Sequence, residues 1–142
     1  MLQLSELMAM WRLILSFNDD IKRLARKLAI TEAKAVAAFC INISRRVDMM
    51  SPVDTGLFRA NWQATLDQPY TGATKTANRA GSIDHVIPFA KTANGHVFYL
   101  TNKIPYAKKL EYGHSQQAPQ GMVRVSAKMA LAELERAVRS VQ

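Results

Sequence analysis

The chain has 142 residues, 49% of them apolar, and its 19 Lys and Arg against 11 Asp and Glu give a formal net charge of +8. A chain of this length can bury one hydrophobic core without disulfides or metal ions, so we expect a single domain. The positive charge favours anionic partners and leaves nucleic acid, an acidic protein surface and a membrane surface open.

The first segment, residues 2–17, has apolar residues at helical spacing and predicts an amphipathic helix. The stripe consists of Leu4, Leu7, Met8, Trp11 and Leu15. Its apolar face either packs in the core of its own chain or contacts a neighbouring subunit. The segment lacks the basic start and cleavage site of a signal peptide, and no other run reaches the roughly 20 apolar residues of a membrane span. We therefore expect synthesis in the cytoplasm and no membrane partner.

A second helical segment follows a cap predicted at residues 18–20, where Asn and Asp residues can bind the free N–H groups of a helix start. Apolar residues then recur at helical spacing from Ile21 to Met50, which predicts one long helix with a kink or short break near Thr31. We accordingly divide the chain into an N-terminal helical extension, residues 1–18, and a single α+β domain, residues 19–142.

The outer face of this long segment is basic, and it is either a solvated face or a nucleic-acid surface. Its members are Lys22, Arg23, Arg26, Lys27, Lys34, Arg45 and Arg46. Cys40, the only cysteine, excludes an intrachain disulfide and a thiolate metal cluster. Its apolar surroundings in the sequence predict an inert packed thiol.

Ser51 and Pro52 end the long helix, because the proline ring denies its predecessor the helical conformation. Residues 54–56, Asp-Thr-Gly, predict a turn. From Phe58 to Leu66 apolar and polar residues then alternate strictly, which predicts a strand with one buried face and Trp62 as a core anchor.

Residues 67–84 have neither helical nor strand periodicity and predict a long loop, with room for a short helical turn around residues 76–80. The loop carries Lys75 and Arg79 and is a candidate for ordering against another subunit or DNA. Residues 85–90 and 96–101 flank Asn94 and Gly95, which predicts a β-hairpin that completes a small antiparallel sheet.

The last third of the chain predicts two helices. Pro105 starts a helix of one or two turns that Gly113 ends. The final helix packs its apolar stripe on the sheet or on the long helix. The stripe consists of Val123, Ala127, Ala130, Leu131, Leu134, Val138 and Val141. The fold class is therefore α+β, with long N-terminal and C-terminal helices packed on a small antiparallel β-sheet and with one long loop.

The sequence contains few groupings of residues that are typical of catalysis or of metal and phosphate binding. Asp54 beside Thr55 is a turn residue rather than part of a nucleophile, since no Ser, His and Asp grouping has motif support. The three histidines are isolated, and no glycine-rich phosphate loop occurs. Glu111 is expected to form a salt bridge with a nearby cation such as Arg59 or Lys108. We expect no enzyme, no metal and no cofactor.

Three blocks of residues, in order and at the right separation, resemble the tail-completion proteins of tailed bacteriophages, which are also described as neck proteins or putative tail components. The first block reads Pro-Val-Asp-Thr-Gly at residues 52–56 and is followed by Leu57 and Arg59. The second has Tyr106-Ala107 and then Leu-Glu-Tyr-Gly at residues 110–113, and the third reads Ala-Pro-Gln at residues 118–120. The resemblance covers roughly residues 20–140.

The resemblance also singles out individual positions. Its motif and structural residues are Pro52, Asp54, Thr55, Gly56, Arg59, Trp62, Tyr106, Glu111, Tyr112, Gly113, Pro119 and Arg124. Before the last helix many such proteins carry a Pro-Phe-Leu-Arg-Pro type motif. Here the stretch reads Gly-Met-Val-Arg-Val at residues 121–125, which keeps the arginine and lacks the aromatic residue and both prolines.

The resemblance implies a structural virion protein, made in the host cytoplasm, that forms a ring expected to be a hexamer at the head-tail junction. Its partners would be a head-completion protein and the tail terminator or tube. DNA would pass through the ring with weak, sequence-independent contact, for which Lys75, Arg79 and Lys91 are the candidate lumen residues. The alternative is a non-specific nucleic-acid-binding domain, which favours basic residues interleaved with exposed aromatic rings.

Overall fold

The structure is a computed structural model that describes residues 4–78 and 83–140, without the side chains of residues 4–11, 13 and 14. Its fold is α+β, as predicted. In chain order the elements are α1 (Leu4–Leu28), α2 (Glu32–Met50), α3 (Leu57–Ala60), β1 (Trp62–Leu66), a 3-10 turn (Asp84–Val86), α4 (Ile87–Lys91), β2 (Phe98–Asn102), α5 (Ala107–Glu111) and α6 (Val123–Arg139).

Helices α1 and α2 form a hairpin. The cap predicted at residues 18–20 is wrong, because α1 continues through it and its apolar stripe extends from Phe17 to Ile21. The predicted break near Thr31 is confirmed: Ala29 has a φ of 52°, and the Thr31 hydroxyl accepts a hydrogen bond from the Lys34 N–H at 3.2 Å. The segment from Ile21 to Met50 is therefore two helices, which fold back so that Phe17 packs on Phe39.

Helix α6 completes a layer of three helices. It packs against α1 and α2 and buries Ser126, Ala130, Leu134 and Val138. Val123, predicted to begin the apolar stripe, is 40% exposed, and Val141 lies outside the described residues. An ion pair between Arg46 and Glu133 joins α2 to α6.

Strands β1 and β2 form the small antiparallel sheet, with Trp62 opposite Asn102 and Leu66 opposite Phe98. The strand predicted from Phe58 begins only at Trp62, because residues 57–60 form the short helix α3. Phe58 and Trp62 are four residues apart, a spacing that suits one helical turn as well as a strand. Trp62 is buried, as predicted.

The predicted hairpin about Asn94 is wrong. Residues 84–91 are helical, with Pro88 in the first turn of α4. Val86, Ala90 and Ala93 are spaced by four and three and are fully or almost fully buried, which is a helical pattern. Strand β2 does belong to the sheet, but it pairs with β1.

The long loop is present over its described part. Residues 67–78 contain no helix or strand, and residues 71–78 are all exposed. The helical turn predicted around residues 76–80 is absent at residues 76–78, and Arg79 lies outside the described residues. Among the helices described, none is both long enough and apolar enough to cross a membrane.

Candidate functional site: the groove between the motif blocks

The first and second motif blocks, about fifty residues apart in sequence, line a single groove. Its lining residues are Pro52, Asp54, Thr55, Gly56, Leu57, Phe58, Tyr106, Leu110, His114, Ser115 and Gln117. Phe58 and Tyr106 form one wall, with ring centroids 6.2 Å apart. We call this surface the motif groove.

A side-chain amide ties the first block to the loop that follows the second block. The Gln117 Oε1 accepts a hydrogen bond from the Val53 N–H at 2.9 Å, and the Gln117 Nε2 donates one to the Val53 carbonyl at 3.2 Å. Both backbone polar groups of Val53 are therefore satisfied by Gln117, which lies between the second and third blocks. Because the backbone of residues 52–54 is outside any helix or strand, this amide replaces the partner that secondary structure would supply.

The turn at residues 54–56 shapes the mouth of the motif groove. Gly56 has a φ of 88°, a conformation that favours glycine. The Thr55 hydroxyl accepts a hydrogen bond from the Leu57 N–H at 3.2 Å, a local contact that closes the turn before α3. Asp54 is exposed at the rim of the groove. This position fits the predicted role of Asp54 as a turn residue.

Glu111 caps the start of helix α6 and makes an ion pair, as expected, but its cation is Arg124 and neither Arg59 nor Lys108. Its Oε2 accepts hydrogen bonds from the N–H groups of Met122 and Val123, both at 2.9 Å. Its Oε1 accepts one from the Arg124 N–H at 3.1 Å and one from the Arg124 Nε at 3.0 Å. Thus one carboxylate satisfies three N–H groups that a helix start leaves without partners.

The surroundings of Glu111 also set its pKa. Desolvation by burial is the largest single effect and raises the pKa of Glu111. The hydrogen bonds from Met122, Val123 and Arg124 together outweigh it, so the pKa lies below the usual 4.5. Glu111 is therefore ionised at neutral pH, as an acceptor of four N–H groups should be.

Two glycines allow the second and third blocks to approach closely. Gly113 has a φ of 90°, and a Cβ placed on it would lie 2.6 Å from the Pro119 carbonyl oxygen. Gly121 has a φ of 83°, and its Cβ would lie 2.2 Å from the Glu111 carbonyl oxygen. Beside them the Arg124 guanidinium stacks on the exposed Tyr112 ring at 4.6 Å. The second and third blocks are thus one compact unit.

The remaining motif residues anchor the first block to α2. Arg59 pairs with the buried Asp48 at 2.9 Å. The Trp62 Nε1 donates a hydrogen bond to the Ser51 hydroxyl at 2.8 Å, which in turn donates one to the Val47 carbonyl. Sequence reasoning missed Asp48, Ser51 and Gln117 as partners, since each contact depends on tertiary packing that residue spacing does not encode.

Two of the three candidate lumen residues lie in the described part of the chain. Lys75 and Lys91 are both exposed. The backbone at Lys75 is held by Asn61, whose amide accepts from the Lys75 N–H at 2.7 Å and donates to its carbonyl at 3.1 Å. The middle of the loop is therefore held against the domain by Asn61.

The histidines lie apart and make separate contacts. His85 Nε2 contacts the Trp62 carbonyl at 2.8 Å, His96 pairs with Asp67, and His114 contacts the Lys109 carbonyl. Within residues 4–78 and 83–140, no group of three His, Cys, Asp or Glu side chains could hold a metal ion.

Comparison with known proteins adds no relative: no protein-family model, curated protein or solved structure matches this chain.

Proposed function

We propose that the chain is a structural protein of the head-tail connector, or neck, of a tailed bacteriophage or prophage. In this role identical copies assemble into a ring, expected to be a hexamer, that joins the tail to the head-completion components. DNA passes through the ring, and the protein resides in the virion after its synthesis in the host cytoplasm.

The observation that supports this proposal most is the joining of the motif blocks that carry the phage resemblance. Gln117 binds the backbone of Val53, and Glu111 binds the start of α6 together with Arg124. Residues of the first and second blocks line one groove, and Glu111 of the second block binds the motif residue Arg124 at the start of α6.

The same contacts favour a structural role over a catalytic one. Glu111 is the most strongly engaged carboxylate of the motif, and four N–H groups occupy its oxygens. A general acid or base needs a free position toward substrate and a pKa near the working pH. Glu111 has a lowered pKa and fulfils neither requirement.

Contact with DNA is the second part of the proposal. The exposed loop of residues 71–78 carries Lys75, and Lys91 ends helix α4. Lysine side chains at a ring lumen bind phosphates weakly and without sequence preference. Arg79 keeps its place as a lumen candidate on the basis of the sequence alone.

Electron microscopy of the purified protein, with no nucleic acid present, tests the assembly. Rings of defined symmetry are the expected result. A monomer that binds DNA tightly and in a salt-sensitive manner would overturn the connector and favour the nucleic-acid-binding alternative.

Charge reversal in the phage tests the lumen. Lys75→Glu and Lys91→Glu should lower infectivity while the purified variants keep their folding stability. Lys128→Glu, at an exposed position of α6, is the matched control and should leave infectivity unchanged. Unaltered infectivity of the double variant would remove these lysines from the lumen.

A further inference from the structure

Lysine and tyrosine side chains alternate on the outer face of helix α5. Lys108 and Lys109 are exposed, while the opposite face of the helix packs on the hydrophobic core. Tyr106, which precedes α5, is 42% exposed, and Tyr112, which follows it, is 60% exposed. At about 3.6 residues per turn, the order around the helix is Lys108, Tyr112, Lys109 and Tyr106. We call these four residues the α5 patch.

The α5 patch lies in a basic part of the chain. Residues 103–128 contain five Lys and Arg, and their single Asp or Glu is Glu111. The oxygens of Glu111 already accept hydrogen bonds from the N–H groups of residues 122–124 and from the Arg124 side chain. Among the described side chains, neither Lys108 nor Lys109 has an ion-pair partner. Both ammonium groups are therefore available to an anionic partner.

One ring of the α5 patch already holds a cation. The guanidinium of Arg124 lies 4.6 Å from the centroid of the Tyr112 ring, and the Arg124 side chain is 58% exposed. The Arg124 Nε is fixed by the Glu111 carboxylate at 3.0 Å, and its Nη2 is fixed by the Glu111 carbonyl at 2.9 Å. The ring and the guanidinium are therefore held in one arrangement before any partner binds, which lowers the entropic cost of binding.

We propose that the α5 patch binds single-stranded nucleic acid without sequence preference. Lys108 and Lys109 bind phosphate groups, and the rings of Tyr106 and Tyr112 stack on bases. The exposed rings favour a single strand, because its bases can lie on an aromatic side chain, whereas the bases of a duplex are stacked on one another. An acidic protein segment would be attracted by the lysines without needing the rings.

This inference goes beyond the proposed function and does not depend on the assembly of a ring. The α5 patch lies on a different element from the candidate lumen residues, since Lys75 is in the long loop and Lys91 is on α4. Asp54, which lines the motif groove together with Tyr106, limits the patch on that side. Two phosphate contacts give weak binding, so the tight binding that would overturn the connector is not required.

Fluorescence anisotropy with a labelled oligothymidylate tests the lysines. Each phosphate contact to a single strand contributes about −0.7 to the slope of log K against log salt. Lys108→Gln and Lys109→Gln should therefore each make this slope shallower by about 0.7 between about 50 and 200 mM salt. Lys34→Gln, at an exposed position in the first turn of α2, is the matched control and should change neither the affinity nor the slope. Slopes equal to that of the wild type in both α5 variants would overturn the inference.

Removal of the rings tests stacking separately from charge. Tyr106→Leu and Tyr112→Leu should each weaken binding by at least about fivefold with an unchanged salt slope. Tyr112→Phe keeps the ring and should bind as the wild type does. Phe89→Leu, which removes an exposed ring from α4, is the control and should have no effect. If Tyr112→Leu and Tyr112→Phe bind equally well, the ring takes no part and the inference is overturned.

Competition distinguishes the classes of partner. An unlabelled single strand should displace the probe, while a duplex of the same length and polyglutamate should each need a much higher concentration. A duplex that competes equally would mean that phosphates alone are recognised, and polyglutamate that competes equally would indicate an acidic protein partner. Either result, or the absence of binding, would overturn the inference, whereas the connector is decided separately by whether rings form.

Discussion

Arg124 binds Glu111 at two places, with its Nε 3.0 Å from the carboxylate and its Nη2 2.9 Å from the backbone carbonyl. The two side chains differ in burial, since Glu111 is 15% exposed and Arg124 is 58% exposed. The carboxylate therefore provides the fixed part of the contact, and the arginine covers it from the solvent side. Together they hold the end of α5 against the start of α6.

The capping role of Glu111 predicts a pH-dependent loss of stability. The pKa of Glu111 is lower in the folded chain than in the unfolded chain, so its ionised form stabilises the fold. This stabilisation is fully present above the unfolded pKa, near 4.5, and is lost as the pH falls through the folded pKa. Glu111→Gln, which cannot ionise, should reduce the free energy of unfolding by about 1–2 kcal/mol at pH 7. Denaturant titrations at pH 7 and below 4 measure this, and the difference between variant and wild type should shrink in acid.

Substitution of Gly121 should destabilise the fold through a steric clash and not through a change of charge. Gly121 and Gly95 both have a φ of 83°, but a Cβ at Gly95 meets nothing within 4 Å. Gly95→Ala should cost about 1–2 kcal/mol from the left-handed conformation alone. Gly121→Ala adds a clash with the Glu111 carbonyl and should cost about 2–5 kcal/mol. Equal shifts of the thermal midpoint would contradict the close approach seen here.

Local signals in the sequence were sufficient to predict where helix α2 begins and ends. Pro52 ends α2 and Thr31 caps its start, because each acts through its own backbone or hydroxyl group on neighbouring residues. Residues 18–20, Asn-Asp-Asp, carry the same capping chemistry, yet α1 continues through them. There, burial of Phe17 and Ile21 on a common stripe outweighs the local preference.

The wrong prediction of a hairpin about Asn94 shows that a short apolar segment can be either a strand or a helix. Asn94 and Gly95 do form a turn, with the His96 N–H bound to the Ala93 carbonyl. The residues before them are helical because Pro88 suits a first helical turn and Val86 and Ala90 lie one turn apart. A turn signal therefore locates a reversal of the chain without identifying what precedes it.

The candidate site could be located from the sequence only in part. Residues of the first two motif blocks line the motif groove, but the partner of Glu111 was expected among cations near it in sequence or in the first block. An ion pair is present, but its cation is Arg124, and the carboxylate also accepts from the N–H groups of residues 122–124, which a prediction from charge alone does not consider. Contacts of this kind depend on how α5 and α6 meet, which no residue spacing specifies.

Loss of one partner of the Asp48–Arg59 ion pair should strongly destabilise the fold. Both side chains are mostly buried, at 10% and 20% exposed, so removal of the arginine leaves a carboxylate in a poorly hydrated site. Arg59→Ala should therefore lower the free energy of unfolding by about 3–5 kcal/mol. The exposed pair Glu135–Arg139 is the control, and Arg139→Ala should cost about 0.5 kcal/mol or less. Similar losses in the two variants would show that the first pair is hydrated.

The buried thiol of Cys40 should become reactive only when the protein unfolds, so its reactivity reports on unfolding. It is 7% exposed and lies in a cluster with Ala90 and Ala93, and this burial raises the pKa of the thiol to about 11. At pH 8 only about one thiol in a thousand is then ionised, and the thiolate is the reactive form. A colorimetric thiol reagent should react slowly with the native protein and completely after denaturation.

The matched control for this measurement is an exposed thiol at Lys91→Cys in a Cys40→Ala background, on the last turn of α4. It should react rapidly in the native state, because it is accessible and its pKa is not raised by burial. The reaction rate of Cys40 should rise with denaturant in parallel with unfolding followed by circular dichroism. Rapid stoichiometric labelling of native Cys40 would mean that α2 and α4 separate readily, in conflict with the buried cluster between them.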